Sequence, residues 1–147
     1  MSGAYAFAQE TKWPDFIGEL RAAPTKSPVE APLPPTLEIT PPASDVSPER
    51  AKWSGRWDGW ACTGQMCDTK LAVLSVTNDG ASIVYTFASA QVTPVTVRLQ
   101  AKFVGDELQA TFGSGSKLSY RMRPSGEVEY HLQRSNGFTA GLLTKKV

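Results

Sequence analysis

Histidine and cysteine are scarce in this sequence of 147 residues, where His131 is the only histidine and Cys62 and Cys67 are the only cysteines. A metal site needs three or four ligands, and the cysteine pair supplies two, far along the chain from the histidine. The sequence also lacks a nucleophile elbow and a phosphate-binding loop. These shortages predict a protein that is not an enzyme and that carries no metal or cofactor.

Long apolar runs and concentrated charge are missing as well. No stretch approaches the roughly 18 consecutive apolar residues of a transmembrane helix. The formal net charge is +1, without a dense basic patch, so nucleic acid is not an expected partner. What the chain does have is an apolar content of 41%, which suffices at this length for the core of one domain.

Proline is distributed very unevenly along the chain. Nine of the eleven prolines precede Trp53, in a stretch with few β-branched or aromatic residues. Such a composition favours extended polyproline II structure over a packed core. We therefore expect an arm over residues 1–52, with a linker at 22–50, and a folded domain over 53–147. The segment Ala31-Pro32-Leu33-Pro34-Pro35 matches a PxxP recognition pattern, although a plain spacer explains it as well.

One part of the arm has a helical pattern. Trp13, Phe16, Ile17 and Leu20 recur at the i, i+3, i+4 and i+7 positions, which predicts a short amphipathic helix over residues 13–21. So short a helix is marginal in water and forms only when its apolar face is covered. Two covers are open at this point: the chain's own barrel, or a groove on a larger protein partner.

The two cysteines bracket a short turn, Cys62-Thr63-Gly64-Gln65-Met66-Cys67. A pair at the two ends of one hairpin loop is well placed for a disulfide, and two reduced thiols are the alternative. A disulfide predicts an oxidising compartment, so we expect a periplasmic or secreted protein. Ala6-Phe7-Ala8 has the form of a signal-peptidase site, but residues 1–5 lack a basic or apolar region. Either the start of the leader is missing or the match is chance.

From Trp53 onward the sequence consists of about eight short runs of alternating apolar and polar residues. Gly, Pro or Asn signals separate them, and Asn136-Gly137 is the strongest hairpin signal among these. The runs cover 53–61, 70–76, 81–87, 95–103, 108–112, 118–122, 128–132 and 138–145. Short connections favour neighbouring antiparallel strands. The sequence therefore predicts an all-β fold, an eight-stranded antiparallel up-and-down barrel, with a two-sheet sandwich as the alternative.

The alternation also assigns side chains to the two faces of the sheet. Many bulky groups point inward, which indicates a filled interior. Tyr85, Tyr120 and Tyr130 are among them, and their hydroxyls either orient a small apolar ligand near one mouth or reach backbone and water. Trp60 faces outward as a candidate partner anchor, unless a bulge at Gly55 or Gly59 turns it inward. His131 falls on the solvent face.

Gly55-Arg56-Trp57 on the first strand, together with Lys145 and Lys146 at the end of the last one, resembles the calycin superfamily. In those barrels a Gly-x-Trp motif sets a tryptophan at the closed end, where a basic side chain of the last strand packs across it. The resemblance implies that role for Trp57 and for Lys145 or Lys146. The chain is also similar to small bacterial extracytoplasmic domains that carry no assigned activity.

Two functional hypotheses follow from these patterns. The first is a non-catalytic interaction module or accessory subunit that docks on a larger protein partner, and the residues proposed to make the contact are Trp13, Phe16, Ile17, Leu20 and Trp60. The second is a calycin-like barrel that carries a small apolar ligand near its mouth, held by Tyr85, Tyr120 and Tyr130.

Overall fold

The computed structural model describes residues 10–22, 29–62 and 66–146 and contains a closed barrel of eight antiparallel strands. The strands are β1 (Gly55–Ala61), β2 (Cys67–Val76), β3 (Gly80–Ala88), β4 (Val95–Val104), β5 (Glu107–Thr111), β6 (Lys117–Met122), β7 (Val128–Arg134) and β8 (Gly137–Lys145). Each strand pairs with its neighbours in sequence order, and β1 pairs with β8 to close the barrel. The predicted up-and-down barrel is confirmed, and the sandwich alternative is excluded.

Up-and-down order places alternate connections at opposite ends of the barrel. We call the end that carries the β1–β2, β3–β4, β5–β6 and β7–β8 connections the open end, and the other the closed end. At the closed end the four-residue helix α1 (Pro48–Ala51) leads into Trp53, which is buried against the barrel. The Trp53 ring lies 6.4 Å from Trp57 and 6.0 Å from Phe103, so aromatic packing fills this end.

The structural detail that the calycin resemblance implies is present at the closed end. The Lys145 ammonium group lies 5.1 Å from the centre of the Trp57 ring and donates hydrogen bonds to the carbonyl oxygens of Lys52 and Ser54. Lys146 points elsewhere and pairs with Asp58 at 3.5 Å. Of the two lysines that the resemblance allows, Lys145 is therefore the one that packs across the tryptophan.

The seam between β1 and β8 depends on two glycines. A Cβ atom at Gly59 would lie 2.1 Å from the carbonyl oxygen of Leu142, and one at Gly141 would lie 2.0 Å from that of Trp60. The backbones approach too closely for any side chain there. The pairing along β1 is continuous, and an irregularity lies in β2 between Val73 and Ser75 instead. No bulge turns Trp60 inward.

The proline-rich segment is a second layer on the outside of the barrel. Leu33, Leu37 and Ile39 pack on the outward side chains of β2 and β3, where they bury a small cluster. That cluster comprises Ala72, Leu74 and Val84. The Thr40 amide also donates to the Leu74 carbonyl oxygen at 2.7 Å. The predicted linker is thus packed at this point, and the extended conformation serves to follow the sheet.

Residues 10–21 cross the outside of the barrel from β5 to β1. The predicted helix is a 3₁₀ helix, Asp15–Glu19, held by bonds from the Ile17 amide to the Pro14 carbonyl and from the Leu20 amide to the Ile17 carbonyl. Ile17 is buried, but Phe16 is 46% exposed. Three-residue turns spread the apolar side chains around the axis, so the four predicted residues do not share one face.

Charged side chains of the barrel hold this segment in place. Arg123 donates to the carbonyl oxygens of Ile17 and Leu20 at 2.7 and 2.9 Å, while it is ion-paired with Glu127 and Glu129. Glu107 accepts from the Thr11 amide. The segment removes Arg123 and Glu107 from water, and these hydrogen bonds replace the ones that water would make. The free-energy cost of burying the two charged groups is therefore small. The own-barrel alternative for residues 13–21 is the one that the structure adopts.

Trp13 is the centre of this contact. Its indole N–H donates to Glu107 at 3.0 Å, the Arg121 guanidinium lies 4.5 Å from its ring centre, and its ring meets His131 edge-on at 5.7 Å. His131 also stacks on Phe138 at 5.1 Å and is 3% exposed. The predicted position of His131 on the outer face is confirmed, but its predicted exposure to solvent is wrong because the arm covers it.

We predict that alanine at Gly59 destabilises the barrel and alanine at Gly113 does not. Gly59→Ala forces a methyl group against the β8 backbone and should lower the free energy of unfolding by about 1–3 kcal/mol. A Cβ at Gly113 meets nothing within 4 Å, so the matched Gly113→Ala variant should stay within about 0.5 kcal/mol of the parent. Urea denaturation measures the stability of both variants. Equal stability of the two would contradict the close approach of β1 and β8 at Gly59.

We predict that acid loosens residues 10–21. Burial raises the pKa of Glu107, but hydrogen bonds from Trp13, Gln109 and Thr11 outweigh it and hold the pKa below its ordinary value of 4.5. Burial lowers the pKa of His131 below 6.5; Glu107 opposes this shift and Lys117 adds to it. Both groups favour their deprotonated form in the folded chain, so the contact weakens as pH falls below 6.5 and further below 4.5.

Hydrogen exchange of the amides in residues 10–21 provides the measurement. Protection should be high near about pH 7 and low near about pH 4, after correction for the intrinsic exchange rate, while the amides of β2 and β3 stay protected. Glu107→Gln should reduce protection already at neutral pH, since the neutral amide is a weaker acceptor for Trp13 and Thr11. Equal protection of the segment at both pH values would show that these two groups do not control it.

Candidate functional site

The barrel interior brings the three predicted tyrosines together. Tyr85 on β3, Tyr120 on β6 and Tyr130 on β7 all point inward and are at most 2% exposed. The Tyr85 and Tyr130 rings stack with centres 6.1 Å apart, and Tyr120 lies 6.0 Å from Tyr130. Residues far apart in sequence thus form one aromatic cluster, which we call the tyrosine cluster.

The hydroxyls of the tyrosine cluster are not equivalent. Those of Tyr85 and Tyr130 lie 2.7 Å apart and share a hydrogen bond. The Tyr120 hydroxyl is buried and has no hydrogen-bond partner within the described part of the chain. A buried hydroxyl without a partner costs about 1–3 kcal/mol. Such a group marks a place where a ligand atom that accepts a hydrogen bond would be stabilised.

Burial keeps all three hydroxyls protonated. It raises the pKa of Tyr85 to about 12, against smaller opposing effects of Tyr130, Arg134 and Thr69. It also raises the pKa of Tyr120 and of Tyr130. The cluster is therefore a set of neutral hydrogen-bond donors over the whole physiological range, rather than a source of phenolate for catalysis.

The sheet is incompletely paired between β4 and β5 on the open-end side of the cluster, and we call this stretch the β4–β5 opening. These two strands pair through three residue pairs near the closed end, Lys102 with Gln109, Phe103 with Leu108 and Val104 with Glu107. The first part of β4, from Val95 to Ala101, pairs with β3 alone. On this free stretch Val95, Val97 and Leu99 alternate inward and remain partly exposed. The wall of the opening is therefore apolar.

Other side chains complete the opening at the open end of the barrel. Phe112 meets the Tyr85 ring edge-on at 5.4 Å, and Phe87 and Leu132 are partly buried against the same core. Arg134 and Thr139 add polarity, joined by a hydrogen bond of 2.5 Å. The positive charge of Arg134 acts on Tyr85 and on Tyr130. Apolar side chains and one guanidinium group thus lie on the open-end side of the tyrosine cluster.

Cys62 and Cys67 form the predicted disulfide, with Cα atoms 5.6 Å apart, in the β1–β2 connection at the open end. The Cys67 side chain is part of the buried core and Cys62 packs against it. The bond therefore ties the end of β1 to the start of β2 beside the opening, in addition to the ladder between the two strands.

The residues proposed to contact a partner are largely covered. The predicted exposure of Trp60 is wrong: it is 8% exposed, and its indole N–H donates to the Arg21 carbonyl oxygen at 2.9 Å. Ile17 is buried, and Trp13 and Leu20 are partly covered by the barrel. Phe16 remains exposed and stacks on Phe138 at 6.4 Å. A docking role for these residues stays a prediction.

A concavity of about 390 Å³ lies outside the closed end. Trp57 lines it, and Lys145 and Met122 flank it. The Lys145 ammonium group is already bonded to two carbonyl oxygens, and the groove lies at the end of the barrel away from the tyrosine cluster. We therefore assign it to the packing of the closed end.

Over residues 10–22, 29–62 and 66–146, no group of three or more metal-ligating side chains is clustered closely enough to hold an ion. Within the same ranges, no helix has the length and apolar character needed to cross a membrane.

No protein-family model and no curated protein matches the chain at the level of sequence. Two solved structures are similar to it. A de novo designed fluorescence-activating β-barrel has a TM-score of 0.52 and 14% identity over 69% of this chain and 100% of its own. A variant of the fluorescent protein UnaG has a TM-score of 0.45 and 10% identity over 65% and 97%. At such identities the likeness to the designed barrel supports the fold alone.

Sequence reasoning missed two parts of this site. Arg134 continues the inward alternation of Val128, Tyr130 and Leu132, so its position was available from the period of two. A charged residue at the end of a strand ordinarily belongs to a turn, so the inward position of Arg134 was not expected. The separation of β4 from β5 left no signal, since β4 alternates in the same way with or without a second neighbour.

We predict opposite stability effects for two hydroxyl deletions. Tyr130→Phe removes the hydrogen bond between the two buried hydroxyls, so the free energy of unfolding should fall by about 0.5–1.5 kcal/mol. Tyr120→Phe removes a hydroxyl that already lacks a partner and should leave stability unchanged or raise it by up to about 1 kcal/mol. Chemical denaturation of both variants tests this. An equal loss in Tyr120→Phe would mean that its hydroxyl has a partner in the folded chain.

Proposed function

We propose that the chain is a non-catalytic binding barrel for a small apolar molecule that carries one group able to accept a hydrogen bond. The observation that carries the proposal is the Tyr120 hydroxyl, buried and without a partner in the described part of the chain, beside the Tyr85–Tyr130 pair. Small-molecule sites combine apolar walls with a few convergent polar groups, and the β4–β5 opening has this character.

The shape of the interior limits the size of the ligand. Side chains fill the barrel from the closed end up to the tyrosine cluster, including the fully buried Ile83 and Leu108. A ligand would therefore enter from the open end, contact Val97 and Phe112, and stop at the tyrosines. This favours a short or flat molecule over a long chain, with Arg134 disposed toward a partially negative group.

We infer an extracytoplasmic location from the disulfide, since such bonds persist in oxidising compartments. We also infer a calycin-like barrel, because Lys145 packs across Trp57 as the resemblance implies. A role as an accessory subunit of a larger partner has less support, because the aromatic side chains proposed for it, Trp13 and Trp60, are engaged within the chain.

Binding of the fluorogenic probe anilinonaphthalene sulfonate tests the proposal. Its rings are apolar and its sulfonate accepts hydrogen bonds. Val97→Trp fills the opening and should weaken probe binding by about tenfold or more, which corresponds to about 1.4 kcal/mol. Tyr120→Phe removes the donor and should weaken binding by about fivefold, the value of about one hydrogen bond.

Gln100→Trp is the matched control, because Gln100 lies on the outward, exposed face of the same strand. It adds the same indole without entering the barrel and should leave the affinity of the probe unchanged. Equal probe affinity in the parent, Val97→Trp and Tyr120→Phe would refute a site in the opening.

A further inference from the structure

The inside of the barrel carries positive charge and no negative charge. Along the described strands, inward positions alternate with outward ones and supply the buried core. Two of these inward positions are charged, Lys145 at the closed end and Arg134 at the open end, and none holds an aspartate or a glutamate. The Lys145 ammonium group is satisfied by the carbonyl oxygens of Lys52 and Ser54. Arg134 is therefore the charge that the interior leaves without a counter-charge.

Arg134 differs in its partners from the half-buried arginines on the outer face. Arg121 and Arg123 both pair with Glu129, whereas no ion pair within residues 10–22, 29–62 and 66–146 includes Arg134. Its guanidinium group donates one side-chain bond, from Nη1 to the Thr139 Oγ1 atom at 2.5 Å. A guanidinium group has five N–H donors. Most of the donors of Arg134 are thus open to water or to a ligand.

The open end also lacks carboxylates that would balance this charge. Its four connections, residues 62–66, 89–94, 112–116 and 135–136, contain no charged residue of either sign. The acidic residue nearest to them in sequence is Asp68, which is ion-paired with the buried Lys70 at 2.7 Å and accepts from the Ala31 amide on the outside of the barrel. Neither the inward positions nor these connections supply an anion for Arg134.

The guanidinium group lies on the way to the tyrosine cluster. Arg134 and Tyr130 are four residues apart on the same face of β7, and Thr139, to which Arg134 is bonded, is buried on β8. Burial raises the pKa of Tyr85 and of Tyr130, and the charge of Arg134 opposes that rise, so this charge acts across the interior. A ligand that enters at the open end and reaches the tyrosines therefore comes into contact with Arg134.

We propose that the barrel binds an organic acid, with its carboxylate on Arg134 at the open end and its apolar body directed toward the tyrosine cluster. This inference rests on the proposed function and names the class of ligand. A neutral apolar molecule would displace water from the guanidinium group without replacing its hydrogen bonds, which weakens binding. A carboxylate replaces them with a charge-assisted, bidentate pair. One guanidinium group balances one negative charge, so a monoanion fits better than a phosphate dianion.

The spacing of the polar groups describes the acid further. Four residues along a strand span about 13 Å, and the Tyr120 hydroxyl, which has no partner in the described part of the chain, belongs to a ring 6.0 Å from that of Tyr130. The ligand therefore carries its carboxylate at one end and an acceptor for Tyr120 toward the other. Thr139 is a positioning residue, because its hydroxyl holds one edge of the Arg134 fork.

Two probes that differ in charge test the proposal on the full chain. Anilinonaphthalene sulfonate and N-phenylnaphthylamine share the same aromatic rings, and of the two the first is the anion. Arg134→Gln should weaken binding of the sulfonate about tenfold or more and leave that of the neutral amine within about twofold. Arg134→Lys keeps the charge without the planar fork and should give an intermediate loss. Thr139→Val should weaken binding of the sulfonate alone, by about threefold.

Displacement of the sulfonate probe tests the carboxylate directly. Naphthoate should displace the probe from the parent at about tenfold lower concentration than the neutral naphthamide does. This preference should disappear in Arg134→Gln. A parent that does not distinguish the two compounds would overturn the assignment of an acid.

Arg98→Gln is the matched control, because Arg98 is exposed on the outward face of β4. It removes the same charge outside the barrel and should leave the affinity for both probes unchanged. Retained binding of the neutral amine shows that each variant is folded. An equal loss of the sulfonate in Arg98→Gln and Arg134→Gln would mean that overall charge attracts the probe, and the proposal would fail.

The pair of probes also separates this inference from the proposed function. If Val97→Trp weakens binding of the neutral amine while Arg134→Gln leaves the sulfonate unaffected, the binding barrel stands and the organic acid is overturned. If Arg134→Gln weakens both probes to the same extent, Arg134 serves the fold and not the anion, and the acid is overturned again. If neither probe binds the parent, both proposals fail.

Discussion

The closure of only eight strands into a barrel determines how much space the interior has. A barrel of this strand number is just wide enough for its own side chains to fill. Trp53, Trp57 and Phe103 occupy the closed end, and aliphatic side chains follow up to the tyrosine cluster. Free wall remains where β4 leaves β5, beyond their three residue pairs. Any ligand chemistry inside the barrel is therefore confined to the open end.

Because the barrel is small, part of its outer face is covered by a second layer of the chain. Outward residues such as Glu107, Glu129 and His131 are buried because residues 10–21 cover them. Arg123 connects the two layers, since it pairs with Glu129 and also donates to two carbonyl oxygens of the segment. If the segment detached, Arg123 would lose its hydrogen bonds to those carbonyl groups, and the Arg123–Glu129 ion pair would weaken. The arm therefore stabilises the barrel as well as covering it.

Local periodicity was sufficient to predict the strands, their order and the inward position of Tyr85, Tyr120 and Tyr130, because alternation along a strand is a property of that strand alone. Cys62 and Cys67 were predictable as a disulfide because they bracket one turn. The burial of Trp60 and His131 was not predictable, since alternation tells on which face of the sheet a residue lies and not what covers that face. The same limit applies to Phe16, whose exposure depends on the 3₁₀ helix that the barrel surface imposes.

The two ends of the barrel differ in how completely they are closed and in the charge of their turns. Asp79 and Asp106 are exposed in turns at the closed end, where aromatic packing closes the interior, and the half-buried Glu127 is ion-paired with Arg123. Neutral turns lie at the end where the sheet is incomplete. A charged side chain there would lose its hydration whenever the proposed apolar ligand entered, and that loss would weaken binding. Apolar side chains that are exposed at this end are themselves unfavourable, because contact between apolar surface and water raises the free energy. Val92 and Val95 remain exposed beside the incompletely paired stretch of β4. The incomplete pairing of β4 and the neutral turns thus place the least closed and least charged part of the barrel at the end where the proposed ligand would enter.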